Sequence, residues 1–137
     1  MIDMENKNLL VYAYLGDATY EIMTRKYLIS KNISKVNDLK KESLLFVSAK
    51  RQDYYLKKMK EENFFTLEEL ELLRRGRNVK TNSKPKYCSI LTYKHATSLE
   101  ILFGVLDYGK KYERLEEIFK EIIRICEENK DVSVWEK

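Results

Sequence analysis

Apolar residues recur every three to four positions from about Asn8 to Ser30. Leu10, Val11, Tyr14, Leu15, Ala18, Ile22 and Leu28 make up this series. Such spacing predicts an amphipathic helix with these residues on its inward stripe. A polar break follows at Asn32–Asn37, where Asn37 or Asp38 can cap the next turn. A second helix is expected over Ser43–Lys60, with Leu44, Val47, Tyr54 or Tyr55, and Met59 on one side and Lys50, Arg51, Lys57 and Lys58 on the other. Thr66 followed by Glu69 is a capping-box pattern, opening a helix through Leu70 and Leu73 that ends near Gly76 with Arg74 and Arg75 in its last turn. Asn78–Lys86 reads as a loop, Ser89–Asp107 as a helix stopped at Gly109, and Glu113–Asn129 as a last helix. In that last helix Leu115, Ile118, Phe119, Ile122, Ile123 and Ile125 turn inward. Nothing alternates at period two, so no sheet is expected. The pattern predicts an all-α helical bundle, with residues 1–137 forming one domain.

Composition supports that picture. The chain is 44% hydrophobic and 35% charged, with four Gly and one Pro, as suits helices joined by short connections. No apolar run is long enough for a bilayer span and the N-terminus lacks a leader pattern, so neither membrane insertion nor secretion is expected. Cys88 and Cys126 stand far apart and His95 is the sole histidine, too few ligands for structural zinc. This cysteine usage fits a reducing, cytoplasmic compartment. The ten tyrosines point to core or subunit contacts, and the net charge of +4 alone says little about partners.

The chemistry concentrates at two places. Leu15-Gly16-Asp17-Ala18 sets a carboxylate among small residues within an apolar helix, where it reads as buried. Glu100, within Thr97-Ser98-Leu99-Glu100-Ile101-Leu102-Phe103-Gly104, has a similar setting. A buried carboxylate must be protonated, paired or metal-bound. Small neighbours allow two helices to approach closely enough for the two acids to share Mg²⁺. The plainer alternatives are that Asp17 caps a helix break and Glu100 pairs with a Lys or Arg. Glu21 and Arg25 make a simple i,i+4 ion pair, and His95 reads as a hydrogen-bonded structural group. A Ser98–His95 hydrolase lacks a nucleophile elbow.

Between Glu71 and Glu100 there is no acidic residue, while Arg74, Arg75, Arg77, Lys80, Lys84, Lys86 and Lys94 fall in that interval. This is a local positive field for phosphate, which Lys50 can extend. A solvated loop is the bland reading. Duplex RNA is the favoured partner, because it is recognised through phosphates and 2′-hydroxyls.

These segments resemble the ribonuclease III family. Leu15-Gly16-Asp17-Ala18 resembles its signature helix, and the segment around Glu100 resembles its second acidic motif. Tyr14–Glu21, Val47-Ser48-Ala49-Lys50, Arg74-Arg75-Gly76-Arg77-Asn78 and Thr92–Thr97 together are similar to the Mini-ribonuclease III branch, from about Asn8 to Phe119. The resemblance implies an all-helical endonuclease domain without a separate double-stranded-RNA-binding domain. It implies a homodimer that cleaves double-stranded RNA with Mg²⁺, Mn²⁺ being a substitute, to leave 5′-phosphate and 3′-hydroxyl ends. It also implies the 23S ribosomal RNA precursor as substrate, with ribosomal proteins as further partners. By position, Asp17 and Glu100 match the catalytic metal-binding acids, and the Arg74–Lys86 region matches an RNA-contacting loop. Leu10, Ala13 and Thr97 stand where full-length ribonuclease III carries further acids, as in the Mini branch, which favours one well-held Mg²⁺ over two. The alternative from another class is a non-catalytic helical RNA-binding or ribosome-associated module.

Overall fold

Thr66 opens its helix by a reciprocal exchange. Its hydroxyl accepts from the Glu69 amide at 3.1 Å, and the Glu69 carboxylate accepts from the Thr66 amide at 2.9 Å. A computed structural model describes residues 8–81 and 85–130. Its helices are α1 (Leu9–Ser30), α2 (Val36–Val47), α3 (Ala49–Glu61), α4 (Leu67–Arg77), α5 (Ile90–Tyr108) and α6 (Tyr112–Glu128). Among the described residues there is no strand, so the chain folds as the expected helical bundle.

The predicted Ser43–Lys60 helix is two helices. Ser48 leaves helical geometry, and its side chain accepts from the Arg51 amide at 3.3 Å to start α3. The break frees carbonyls at the end of α2, which would be costly if buried unpaired. Two tyrosines answer them: Tyr20 donates to the Phe46 carbonyl at 2.8 Å and Tyr55 to that of Leu45 at 2.5 Å. Upstream, α2 begins at Val36 without a side-chain cap, and Asp38 lies in its first turn, where a negative charge complements the helix dipole. After α5 the left-handed residue is Lys110, with φ 59°, rather than Gly109.

The helix at the centre is α5, which packs against α1, α3, α4 and α6. It is buried almost all round from His95 to Leu106, as befits a core helix rather than a surface one. Tyr20, Phe46, Phe103 and Phe119 meet around it, with Tyr20 and Phe103 ring centres 5.0 Å apart. The inward residues predicted for α6 are buried, with Ile123 half-buried at the margin.

The α1 stripe is turned relative to expectation. Tyr12, Gly16, Thr19, Tyr20, Thr24 and Leu28 face the interior, whereas Val11, Tyr14, Ala18 and Ile22 are exposed. The helix is apolar on both sides. Its thinner side, with glycine and threonines, is the one that fits against α5.

Candidate active site

Backbone meets backbone where α1 crosses α5. A Cβ on Gly16 would overlap the Glu100 carbonyl oxygen, and one on Gly104 would overlap that of Tyr12. Only glycines allow this approach. One turn further along, the Thr19 hydroxyl donates to Asp107 at 2.6 Å and fastens the crossing. The outcome is that Asp17, next to Gly16 in sequence, comes within hydrogen-bonding reach of Glu100.

The two acids differ in environment. Asp17 is exposed, contrary to the buried reading of its apolar surroundings, because α1 turns its Tyr12, Gly16 and Thr19 side to the interior. Glu100 is half-buried. Burial pushes the Glu100 carboxyl up to about 8, the hydrogen bond and charge of Asp17 push it further, and the Gln52 amide opposes them. At neutral pH Glu100 therefore holds a proton beside Asp17. The oxygen donors of the pair fit a hard divalent cation. No group of three or more His, Cys, Asp or Glu side chains fit to hold a metal occurs among the described residues.

Behind Glu100, α3 supplies buried polar groups. Gln52 and Asp53 are both buried, and Asp53 accepts from His95 Nδ1 at 2.7 Å and pairs with Lys57 at 3.2 Å. This gives His95 the structural role expected of it. Ser98 is fully buried and donates to the His95 carbonyl at 2.7 Å, so it is no nucleophile. Gln52 and Asp53 are not among the residues that sequence reasoning singles out. The signal lies in their spacing: they share a helical stripe with the buried Tyr55, Leu56 and Met59.

The basic residues divide. A Cβ added to Gly76 would come within 3.1–3.2 Å of Ser98 and Ile101, so the end of α4 packs closely on α5 beside Glu100. Beyond it, Val79, Thr81, Tyr93, Lys94 and Thr97 line a crevice of about 20 Å³ that seats the root of the basic loop on α5. Arg75, Lys80 and Lys86 are exposed, and Arg77 and Lys94 half-buried. Arg74 is exposed and makes two hydrogen bonds of 2.6 and 3.0 Å to Glu71. Lys84 lies outside the described residues.

On α3, Lys50 is exposed, but the rest of the expected basic face is differently employed. Arg51 is buried and donates to the Asn129 carbonyl at 2.9 Å, and Lys58 pairs with Glu61 at 3.8 Å. Lys60, outside the basic set expected from sequence, is half-buried and close enough to Arg77 for the like charges to interact, its ammonium lowered by burial and then by Arg77.

The all-helical fold is that of a ribonuclease III domain, and that family matches residues 10–108. The chain is 42% identical to Mini-ribonuclease 3 of Clostridium tetani, over 93% of this chain and 83% of that protein. It is 43% identical to Mini-ribonuclease 3 of Brevibacillus brevis, over 88% of each. A crystal structure of a Fusobacterium nucleatum protein superposes with a TM-score of 0.77 at 31% identity, covering 90% of this chain and 98% of that one. The chain belongs to the Mini-ribonuclease 3 family and is an endoribonuclease for double-stranded RNA.

Proposed function

We propose that Asp17 and Glu100 together hold the Mg²⁺ on which RNA cleavage depends, with Mn²⁺ as a substitute. The observation that carries this reading is the meeting of the two acids across the glycine-tight crossing, with a proton held on Glu100 by burial and by Asp17. When bound, Mg²⁺ supplies an acidified water and charge stabilisation for phosphodiester hydrolysis. Asp17, exposed, presents its oxygens to the RNA side. Glu100, half-buried, would hold the cation from the protein side in its ionised form. Lys50, Arg75, Arg77, Lys80, Lys86 and Lys94 balance phosphate charge around the acids. Cleavage leaves 5′-phosphate and 3′-hydroxyl ends.

The same reading makes the active species a cytoplasmic homodimer maturing the 23S ribosomal RNA precursor, with ribosomal proteins as helpers. It treats residues 1–137 as one catalytic domain. One observation supports the homodimer. Val11, Tyr14, Ala18, Ile22 and Ile29 form an exposed apolar stripe on the helix that carries Asp17, suited to covering by a second copy. No described helix is long and apolar enough to cross a membrane.

Cleavage of duplex RNA by Asp17→Asn protein in Mg²⁺ is the test. Loss of cutting with retained duplex binding is expected, and undiminished cutting overturns the site. A wild-type protein that binds duplex RNA without ever cutting it instead favours a non-catalytic RNA-binding module.

A further inference from the structure

Tyr87 is 88% exposed, and Ile90 and Leu91 just after it are 62% and 57% exposed. Single apolar side chains at a surface are ordinary, but three large ones crowded into residues 87–91 mark a binding surface. The segment is also held in place. Ser89 caps α5, its oxygen accepting from the Thr92 amide at 3.1 Å and its hydroxyl donating to Thr92 Oγ1 at 3.0 Å. Pro85 fixes the backbone two residues before Tyr87. Every charged side chain from Arg74 to Lys94 is basic, and Lys86 and Lys94 flank the apolar group in sequence. A second copy docking here about a two-fold axis would bring like charges face to face, whereas a polyanion complements them. RNA, the substrate of this family, is that polyanion.

We propose that Tyr87 is a specificity-determining residue whose ring stacks on a base left unpaired in the RNA, so that interruptions of a duplex direct where it is cut. Inside a continuous A-form duplex each base face is covered by its neighbours, and the deep major groove admits no side chain. A flat ring on the protein surface therefore finds an open base face only at a bulge, a loop or an end. Tyrosine suits the task, because its ring stacks while its hydroxyl keeps the exposed side chain hydrated. Lys86, exposed and next in the chain, balances the phosphate beside the unpaired nucleotide. From Ile90 to Glu100 the core helix α5 rises about 15 Å, a rigid span. The unpaired base is thus held at one distance from the acids, a consequence that rests on the reading that Asp17 and Glu100 mark the cut.

The experiment uses full-length protein and one long RNA duplex in two forms, fully paired or carrying a single-nucleotide bulge. Binding is measured in EDTA, and cut positions are mapped with Mg²⁺. The wild type should bind the bulged form more tightly and cut it at one spacing from the bulge. Tyr87→Ala should lower affinity for the bulged form roughly tenfold relative to the paired form and scatter the cuts. Tyr87→Phe, which keeps the ring, should preserve the preference. A wild type that treats both duplexes alike overturns the proposal, as does a Tyr87→Ala protein that keeps the preference. Equal losses in Tyr87→Phe and Tyr87→Ala on both duplexes would assign the phenol hydroxyl to a 2′-hydroxyl and overturn the stacking role. So would a change of oligomeric state in Tyr87→Ala, read by light scattering, since the ring would then serve a protein contact. Asp17→Asn run in parallel separates the two readings. If it still cuts while the bulge preference depends on Tyr87, the acid-pair site falls and the stacking role stands.

Discussion

Gly16 sits directly on the backbone of Glu100, with no room for a side chain between them, and this contact sets the distance between the acids. The same residue that permits the helix crossing therefore determines the spacing of the site.

Gly16→Ala and Gly104→Ala each place a methyl group inside a facing backbone carbonyl, which cannot rotate away. Either should destabilise the fold by roughly 3 kcal/mol, at the upper end of overpacking costs, as the helices move apart. Cleavage should fall even at temperatures where the variant stays folded. Thermal melts together with single-turnover cleavage check this; an unchanged melt means that the crossing is looser than described.

Glu100 imposes a pH dependence on the metal-free protein. Its carboxyl titrates near 4.5 when unfolded and about 8 in the fold. The native state therefore binds more protons between those values, and its stability should decline as pH rises through them. Glu100→Gln should flatten the decline, and Mg²⁺ should raise the melting temperature more at pH 8 than at pH 5. The opposite sense holds for Glu121, which hydrogen bonds from Arg124 hold down to about 2, so its contribution fades only in stronger acid. Melting curves across pH with chelator or Mg²⁺ distinguish the two windows.

Arg114 carries a structural load. It donates to the Glu69 carboxylate at 2.7 and 2.8 Å and to the Phe64 carbonyl at 2.8 Å. Burial alone would push the Glu69 carboxyl up, yet hydrogen bonds from Arg114 and Thr66 hold it below its usual range. Arg114→Ala would strand that carboxylate and should cost about 3 kcal/mol, without changing the salt dependence of RNA binding. Denaturant unfolding measures the loss.

The basic residues should not act alike. Replacing exposed Arg75, Lys80 or Lys86 by Ala should weaken duplex binding and reduce the slope of log affinity against log salt by about one for each phosphate left without its cation. Arg74→Ala should change that slope less, because its guanidinium is already held by Glu71. Binding titrations over a salt series rank them, and an Arg74 effect equal to the others would mean that its ion pair opens on RNA.

Lys110 adopts a left-handed backbone, at φ 59°, that costs a non-glycine residue about 1 kcal/mol. Lys110→Gly should recover much of that energy without altering cleavage. Denaturant midpoints test it.

What the sequence determined is what neighbours in the chain determine. The Thr66–Glu69 capping box, the Glu21–Arg25 ion pair and the inward stripe of α6 are visible in the residues because their partners lie within a turn or two. Asp17 and Glu100 could be nominated by their small neighbours and by family resemblance. The break at Ser48 was locally underdetermined, since it is held partly by Tyr20 from another helix. Tertiary packing alone decided which side of α1 turns inward, because both sides are apolar and only the Gly16 side fits against Gly104. It also decided that Asp17 is exposed, that Arg51 is buried, and that Gln52 and Asp53 are buried, Asp53 against His95. Periodicity can say that a residue lies on a helical stripe. Which partner that stripe meets depends on how closely two backbones can approach, and that is settled only when distant helices pack.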